Sequence, residues 1–179
     1  MGIRDTEISR LKKYAEGLGI KVYFKPYIRG MGIAEWDLDD QSITIYEKKS
    51  FSKTDYILTF LHELGHHLDW VYNNRKNDPE DVKAQELLCA GEIEGDRSDI
   101  PKKYRKRTYE MEKSGIYYMS IIYKELGLKI PYWKVKLQQD LDIYPYFILY
   151  KEGRFPTSKE DKEYRKKMTK IYKNKYGKI

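Results

Sequence analysis

All three histidines of this chain lie within six residues, in the stretch His62-Glu63-Leu64-Gly65-His66-His67. Residues four apart on an α-helix lie on one face, about 6 Å from each other. His62 and His66 are therefore predicted to point the same way, and two imidazole nitrogens at that spacing can share one zinc ion. This is the H-E-x-x-H pattern, in which two ligands and one carboxylate serve a single metal.

The carboxylate of this pattern, Glu63, is predicted to be the general base. It lies next to His62 and one turn before His66, so it can approach a water molecule on the metal without binding the metal itself. The alternative is a His–Glu ion pair on a helix surface. Gly65 argues against this alternative, because a helix interior prefers alanine by about 1 kcal/mol. A glycine there indicates that another segment packs closely.

Two more polar residues of the same stretch are predicted to have lesser roles. His67 lies about 100° around the helix from His66 and cannot bind the same metal. We expect His67 to face solvent or to contact the metal ligands without binding the metal itself. Asp69, three residues after His66, could accept a hydrogen bond from a ligand imidazole. An ordinary surface carboxylate is the alternative for Asp69.

A catalytic zinc needs a third protein ligand, and since no histidine remains, the sequence predicts a carboxylate. The candidates are Glu86, Glu92, Glu94, Glu110 and Glu112. A metal site is best held by a rigid element, which favours the long helix predicted over residues 104–126. On that helix Glu112 begins a stripe that is otherwise apolar or small, and Gly115 on this stripe would allow another helix to come close. Glu112 is therefore preferred, with Glu110 as the alternative; a solvent-facing carboxylate near a helix N-terminus is the other interpretation.

The elements that must position these residues predict an α+β fold. The region before the histidines is expected to form an N-terminal helix over residues 4–17, a strand over 21–25 and a hairpin over 32–36 and 42–46, giving a short antiparallel sheet. The helix that carries the histidines is predicted to start at a capping box formed by Ser52 and Asp55. Its apolar residues Ile57, Leu61, Leu64, Leu68 and Val71 recur every three or four positions.

The helix that carries the histidines is predicted to end near residue 74, and further helices are predicted after it. They are a short helix around 82–89, a long one over 104–126, one from Tyr132 towards Leu141 with Pro145 disturbing its end, and a last basic segment from Thr157. The predicted domain organisation is a metal-binding domain over residues 1–150 and a basic helical tail over 151–179.

The net charge of +7 is carried entirely by the tail. Residues 151–179 hold 11 Lys+Arg and 4 Asp+Glu, and the remainder of the chain holds 24 of each. Basic residues alternate with tyrosines there, a pattern that can contact phosphate and stack on bases. A solvated basic helix without a partner is the alternative.

The rest of the composition narrows the class of protein. The 179 residues, 40% hydrophobic, suffice for one globular core. The single cysteine, Cys89, cannot form an internal disulfide, which fits a reducing compartment. Neither a signal peptide nor an apolar run of membrane-spanning length is recognised, so a cytoplasmic location without a membrane contact is expected.

The chain has an N-terminal helix, strands, the HELGH helix and then a helix with a second motif, E-x-x-small-x-x-aromatic. This order resembles that of the ImmA/IrrE-type zinc metallopeptidases, gluzincin-like proteins common in phages and mobile elements. The second motif matches at Glu112, Gly115, Tyr118 and Met119, although the family usually has alanine where Gly115 and Met119 stand. The resemblance covers roughly residues 1–127. It implies a small zincin-like fold, a Zn²⁺ cofactor and cleavage of particular protein targets such as repressors.

Two functions are expected from these observations. The first is a zinc metalloendopeptidase in which His62, His66 and Glu112 bind zinc and Glu63 takes a proton from the zinc-bound water. Tyr109, one turn before Glu112, is a candidate for stabilising the oxyanion, chosen among 18 tyrosines. The alternative is a module with a structural or vestigial zinc site whose basic tail contacts nucleic acid or an acidic protein.

Overall fold

The computed structural model of the chain describes residues 6–28, 33–94 and 99–177, with the backbone alone for 91–94. In these ranges it is a mixed α+β structure with six helices and three strands, which confirms the predicted fold class. In chain order the elements are α1 (Thr6–Gly17), β1 (Lys21–Pro26), β2 (Ala34–Asp37), β3 (Ser42–Glu47), α2 (Lys53–Tyr72), α3 (Pro79–Glu94), α4 (Lys102–Glu125), α5 (Tyr132–Glu152) and α6 (Ser158–Tyr176), with a short 3-10 helix at Arg75–Asn77.

The sheet has the order β1-β3-β2, so β3 is its central strand. The predicted hairpin is confirmed, since β2 and β3 pair antiparallel with Ala34 opposite Ile45. β1, however, pairs parallel with β3, with Lys21 opposite Ser42, where an antiparallel sheet was predicted. An alternating apolar pattern specifies which face of a strand is buried but not its direction, and the direction of β1 depends on the path of the chain between β1 and β2.

The chain divides into two compact units, and two of the three boundaries between them fall inside helices, α2 and α4. Unit 1 comprises Met1–Asp69 and Gly115–Ile130, and unit 2 comprises Trp70–Ser114 and Pro131–Ile179. This division differs from the predicted one at residue 150, because α2 and α4 each contribute to both units. The separation of a basic tail over 151–179 stays a prediction.

The core of unit 1 is built on one stripe of α2. Its buried members are Ile57, Leu61, Leu64 and Leu68, while Val71, which continues the pattern in the sequence, is 53% exposed. The same core includes Ile8, Leu11 and Ala15 of α1, Ile43 and Ile45 of β3, and Met119 and Ile122 of α4. Burial of four aliphatic side chains on a single stripe fixes which face of α2 remains for the histidines.

A buried carboxylate ties α1 to the end of this unit. Glu7 accepts a hydrogen bond from the backbone N–H of Lys129 at 2.5 Å and pairs with the ammonium of Lys53 at 3.3 Å. A buried charge needs such partners, since desolvating it alone is costly. Glu7 thus connects the first turn of α1, the start of α2 and the segment after α4.

Unit 2 contains helices longer than the sequence suggests. α3 runs from Pro79 to Glu94, and α5 continues through Pro145 to Glu152 although proline was expected to disturb its end. Proline removes one backbone hydrogen bond and crowds the preceding turn. The helix nevertheless ends only at Gly153, whose φ of 78° is the left-handed conformation typical of a glycine cap.

The last helix, α6, starts at a capping box. Glu160 donates its backbone N–H to the Thr157 hydroxyl, and Thr157 donates its own to the Glu160 carboxylate at 2.7 Å. The guanidinium of Arg154 and these Thr157 donors lower the pKa of Glu160 to about 2. Within the described ranges, no helix combines the length and the apolarity needed to cross a bilayer.

Candidate metal centre

The two histidines of the H-E-x-x-H pattern lie side by side on α2. The helix begins at the predicted capping box, in which Ser52 donates its backbone N–H to Asp55 at 2.8 Å and accepts that of Asp55 at 3.3 Å. The rings of His62 and His66 have their centroids 4.5 Å apart, and their Nε2 atoms are 3.0 Å apart. The same nitrogen of each ring is therefore turned towards a common point.

Glu112 offers a third potential ligand atom beside these two nitrogens. It lies one turn before Gly115 on α4, a helix that runs unbroken from Lys102 to Glu125, and only 3% of its surface is exposed. One ligand atom from each of His62, His66 and Glu112 lies within 4.8 Å of the other two. Among the described residues, this is the one group of three metal-ligating side chains that lie so close together.

The donor set fits zinc. Two nitrogens bound to one tetrahedral zinc at about 2.0 Å are themselves about 3.3 Å apart, and the observed Nε2 separation is 3.0 Å. Two imidazoles and one carboxylate are the ligands of catalytic zinc sites that keep a fourth position for water or substrate. A buried carboxylate next to two imidazoles also gains a favourable partner when a cation binds between them.

The close helix packing predicted from Gly65 is observed. A β-carbon built on Gly65 would overlap the carbonyl oxygen of Gly115 and lie 3.1 Å from the backbone nitrogen of Met119. A β-carbon on Gly115 would lie 2.8 Å from Nδ1 of His66. α2 and α4 therefore touch backbone to backbone at two glycines, and this contact places the His66 ring against α4.

Replacement of Gly65 by alanine is expected to destabilise the protein. Helix propensity alone would favour alanine by about 1 kcal/mol, but the added methyl group must push α4 away, and overpacking typically costs about 1–3 kcal/mol. We expect a net loss of up to about 2 kcal/mol in denaturant unfolding, together with weaker zinc binding. Gly17→Ala is the matched control, since its β-carbon meets nothing within 4 Å, and a gain of about 0.5 kcal/mol is expected there. Equal stability of the two variants would contradict the close contact.

Glu63 differs from Glu112 in its surroundings. It follows His62 directly on α2 and is partly exposed, whereas Glu112 is buried. It is not a member of the group formed by His62, His66 and Glu112. A partly exposed carboxylate can exchange protons with water, as a general base must.

The surface interpretations of His67 and Asp69 are wrong. His67 is 8% exposed, and its ring stands edge-on to that of Trp36, with centroids 6.1 Å apart. Burial lowers the pKa of His67, because the charged imidazolium is poorly solvated there. Asp69 is 2% exposed. No pattern in the sequence indicated that β2 would bring Trp36 to this face of α2; the role of Asp69 as an acceptor for an imidazole stays a prediction.

The other candidate ligands lie outside the triad of His62, His66 and Glu112. Glu110 is exposed and pairs with Lys113 at 3.0 Å, and Glu86 is exposed and pairs with Lys83 at 3.2 Å. The side chains of Glu92 and Glu94 belong to the part of the chain that the structure does not describe. Tyr109, the candidate for the oxyanion, stacks on Tyr150 of α5 with ring centroids 5.7 Å apart.

Comparison of the chain with family models, with curated proteins and with solved structures finds no match. Its function is therefore inferred from its own residues and their geometry.

Proposed function

We propose that this chain is a zinc-dependent metallopeptidase that hydrolyses peptide bonds of a protein substrate. The observation that carries the proposal is the convergence of His62, His66 and Glu112 within 4.8 Å, with Glu63 next to the first of them. A structural zinc site usually has four protein ligands, whereas three ligands and a nearby base are typical of a catalytic site.

The residues of the centre divide the chemistry among them. His62, His66 and Glu112 would hold a zinc ion, which as a Lewis acid polarises a carbonyl and lowers the pKa of water towards 7. Glu63 accepts a proton from the attacking water and passes it to the nitrogen of the leaving amine. One carboxylate can do both, because the water loses its proton before the amine needs one.

A place for the substrate is offered by the sheet. β2 lies at an edge of the sheet, with β3 on its one paired side. An extended peptide can add to such an edge through backbone hydrogen bonds that do not depend on its sequence. We propose that the scissile segment binds in this way, as an additional strand beside β2.

The resemblance to the ImmA/IrrE-type metallopeptidases agrees with this proposal in the two histidines, Glu63 and Glu112. A particular protein target and a cytoplasmic location remain part of the proposal. The exposed thiol of Cys89, the single cysteine of the chain, fits a reducing compartment.

The proposal is tested with a mixed peptide library and the zinc-loaded protein. New peptide termini, detected by mass spectrometry, are expected to appear, to vanish after chelation of the metal and to return when zinc is added. The library replaces the unknown substrate, and the expected rate is low because remote contacts to the true target are missing. Absence of any cleavage by protein that contains about one zinc per chain would contradict a peptidase with broad sequence tolerance, and protein fragments with longer extended segments would then be tested.

A further inference from the structure

The exposed side of α6 carries a continuous row of lysines, here called the lysine stripe. Its members are Lys159, Lys162, Lys166, Lys170 and Lys173. Their spacing of three, four, four and three residues keeps them on one face of the helix. All five are exposed, and at 1.5 Å per residue the stripe is about 21 Å long.

The opposite side of α6 is packed on α5, which fixes the stripe towards solvent. Tyr164 stacks on Tyr144 with ring centroids 3.8 Å apart and an interplanar angle of 6°. Tyr172 donates its hydroxyl to the carboxylate of Asp140 at 2.7 Å. Two of the three tyrosines of α6, Tyr164 and Tyr172, are thus used in packing on α5. The predicted stacking of tyrosines on bases stays a prediction.

The charge of the stripe is not neutralised within the described part of the chain. None of its five lysines forms an ion pair there. Two acidic residues of α6 form ion pairs with arginines instead, Glu160 with Arg154 and Asp161 with Arg165. A third, Glu163, lies at the edge of the stripe. Several lysines in other helices are paired, namely Lys12 with Glu16, Lys83 with Glu86, Lys103 with Glu80 and Lys113 with Glu110.

The chemistry of the stripe indicates which polyanion fits it. A helix that binds a membrane surface exposes an apolar face beside its lysines, but most of the apolar side of α6 is turned to α5. A single-stranded nucleic acid requires exposed aromatic rings for stacking, and the stripe contains none. Duplex DNA offers one phosphate charge per about 1.7 Å of its axis, and its wide major groove admits a helix that the deep groove of duplex RNA would not.

We propose that the lysine stripe of α6 binds the phosphate backbone of duplex DNA without reading its sequence. Lysines act as point charges towards phosphate, and phosphate contacts carry no sequence information directly. This binding does not depend on the metal centre, so it stands apart from the proposed peptidase activity.

Fluorescence anisotropy with a labelled DNA duplex of about two helical turns tests the proposal across a range of salt concentrations. The variant is Lys162→Gln/Lys166→Gln/Lys170→Gln. Each phosphate contact contributes about 0.9 to the slope of log affinity against log salt concentration. We therefore expect this slope to fall by up to about 2.7 in the variant, and the affinity at low salt to fall at least about tenfold.

The matched control is Lys12→Gln/Lys83→Gln/Lys103→Gln, which removes the same net charge from lysines that already have partners. Its affinity and salt slope are expected to remain close to those of the unchanged protein. An equal loss in both variants would show that net charge alone drives binding and would overturn the proposal. Circular dichroism establishes that both variants keep their helices.

Other polyanions serve as competitors in the same assay. Duplexes of unrelated sequence should compete equally. Tighter binding to single-stranded DNA, to duplex RNA, to a glutamate-rich peptide or to vesicles with anionic lipids would overturn the choice of duplex DNA.

Discussion

Replacing Glu63 by glutamine is expected to abolish peptide cleavage while zinc stays bound. Glutamine keeps the length and shape of the side chain but cannot accept the proton of the attacking water. General-base catalysis contributes about 10²–10⁴-fold, so the rate on a peptide library should fall at least about 100-fold. Zinc content should be unchanged, because Glu63 does not belong to the triad of ligand side chains.

The control for this substitution is Glu86→Gln on α3, which removes one exposed carboxylate with a lysine partner. It should cleave and bind zinc as the unchanged protein does. Measuring zinc by elemental analysis in the same samples separates loss of the base from loss of the metal. Full cleavage activity in zinc-loaded Glu63→Gln would remove Glu63 from the role of base.

The position of α2 and the side that carries His62 and His66 could be predicted because several local signals agree. The Ser52–Asp55 capping box forms as expected, and the stripe of Ile57, Leu61, Leu64 and Leu68 is buried. An amphipathic stripe determines which face of a helix meets the core, so the face left for His62 and His66 followed from the sequence.

The placement of Glu112 was predictable from α4 in the same way. It begins a stripe with Gly115, Met119 and Ile122, and the last two are fully buried. The glycine in each helix indicated the close contact between α2 and α4, since only residues without a β-carbon tolerate such an approach. Two independent local signals therefore pointed to the same helix pair.

Features that depend on distant parts of the chain were not predictable. The parallel direction of β1 depends on the chain path between strands, the burial of His67 depends on Trp36, and α5 continues through Pro145 although its local signals favour an end. In each case, tertiary packing decides the outcome, which the local sequence alone does not determine. The burial of Asp69 belongs to the same class.

The two candidates for the third metal ligand, Glu112 and Glu110, differ sharply in their surroundings. Glu112 is buried and lies with the histidines, whereas Glu110 is exposed and pairs with Lys113. Zinc content measured by elemental analysis is expected to be about one ion per chain in the unchanged protein and in Glu110→Ala, which keeps all three predicted ligands.

Glu112→Ala is expected to lose the metal. Loss of a residue that merely supports a ligand weakens zinc binding about 10–100-fold, so loss of a ligand itself should cost at least about 100-fold. Because alanine also leaves a cavity, Glu112→Gln provides a variant of equal volume that removes only the charge; it should bind zinc much more weakly while unfolding at a similar denaturant concentration in the absence of metal. Zinc retained in both Glu112 variants but lost in Glu110→Ala would exchange the two assignments. Absence of zinc from the unchanged protein, even after incubation with the ion, would remove the metal centre and leave the lysine stripe as the better guide to function.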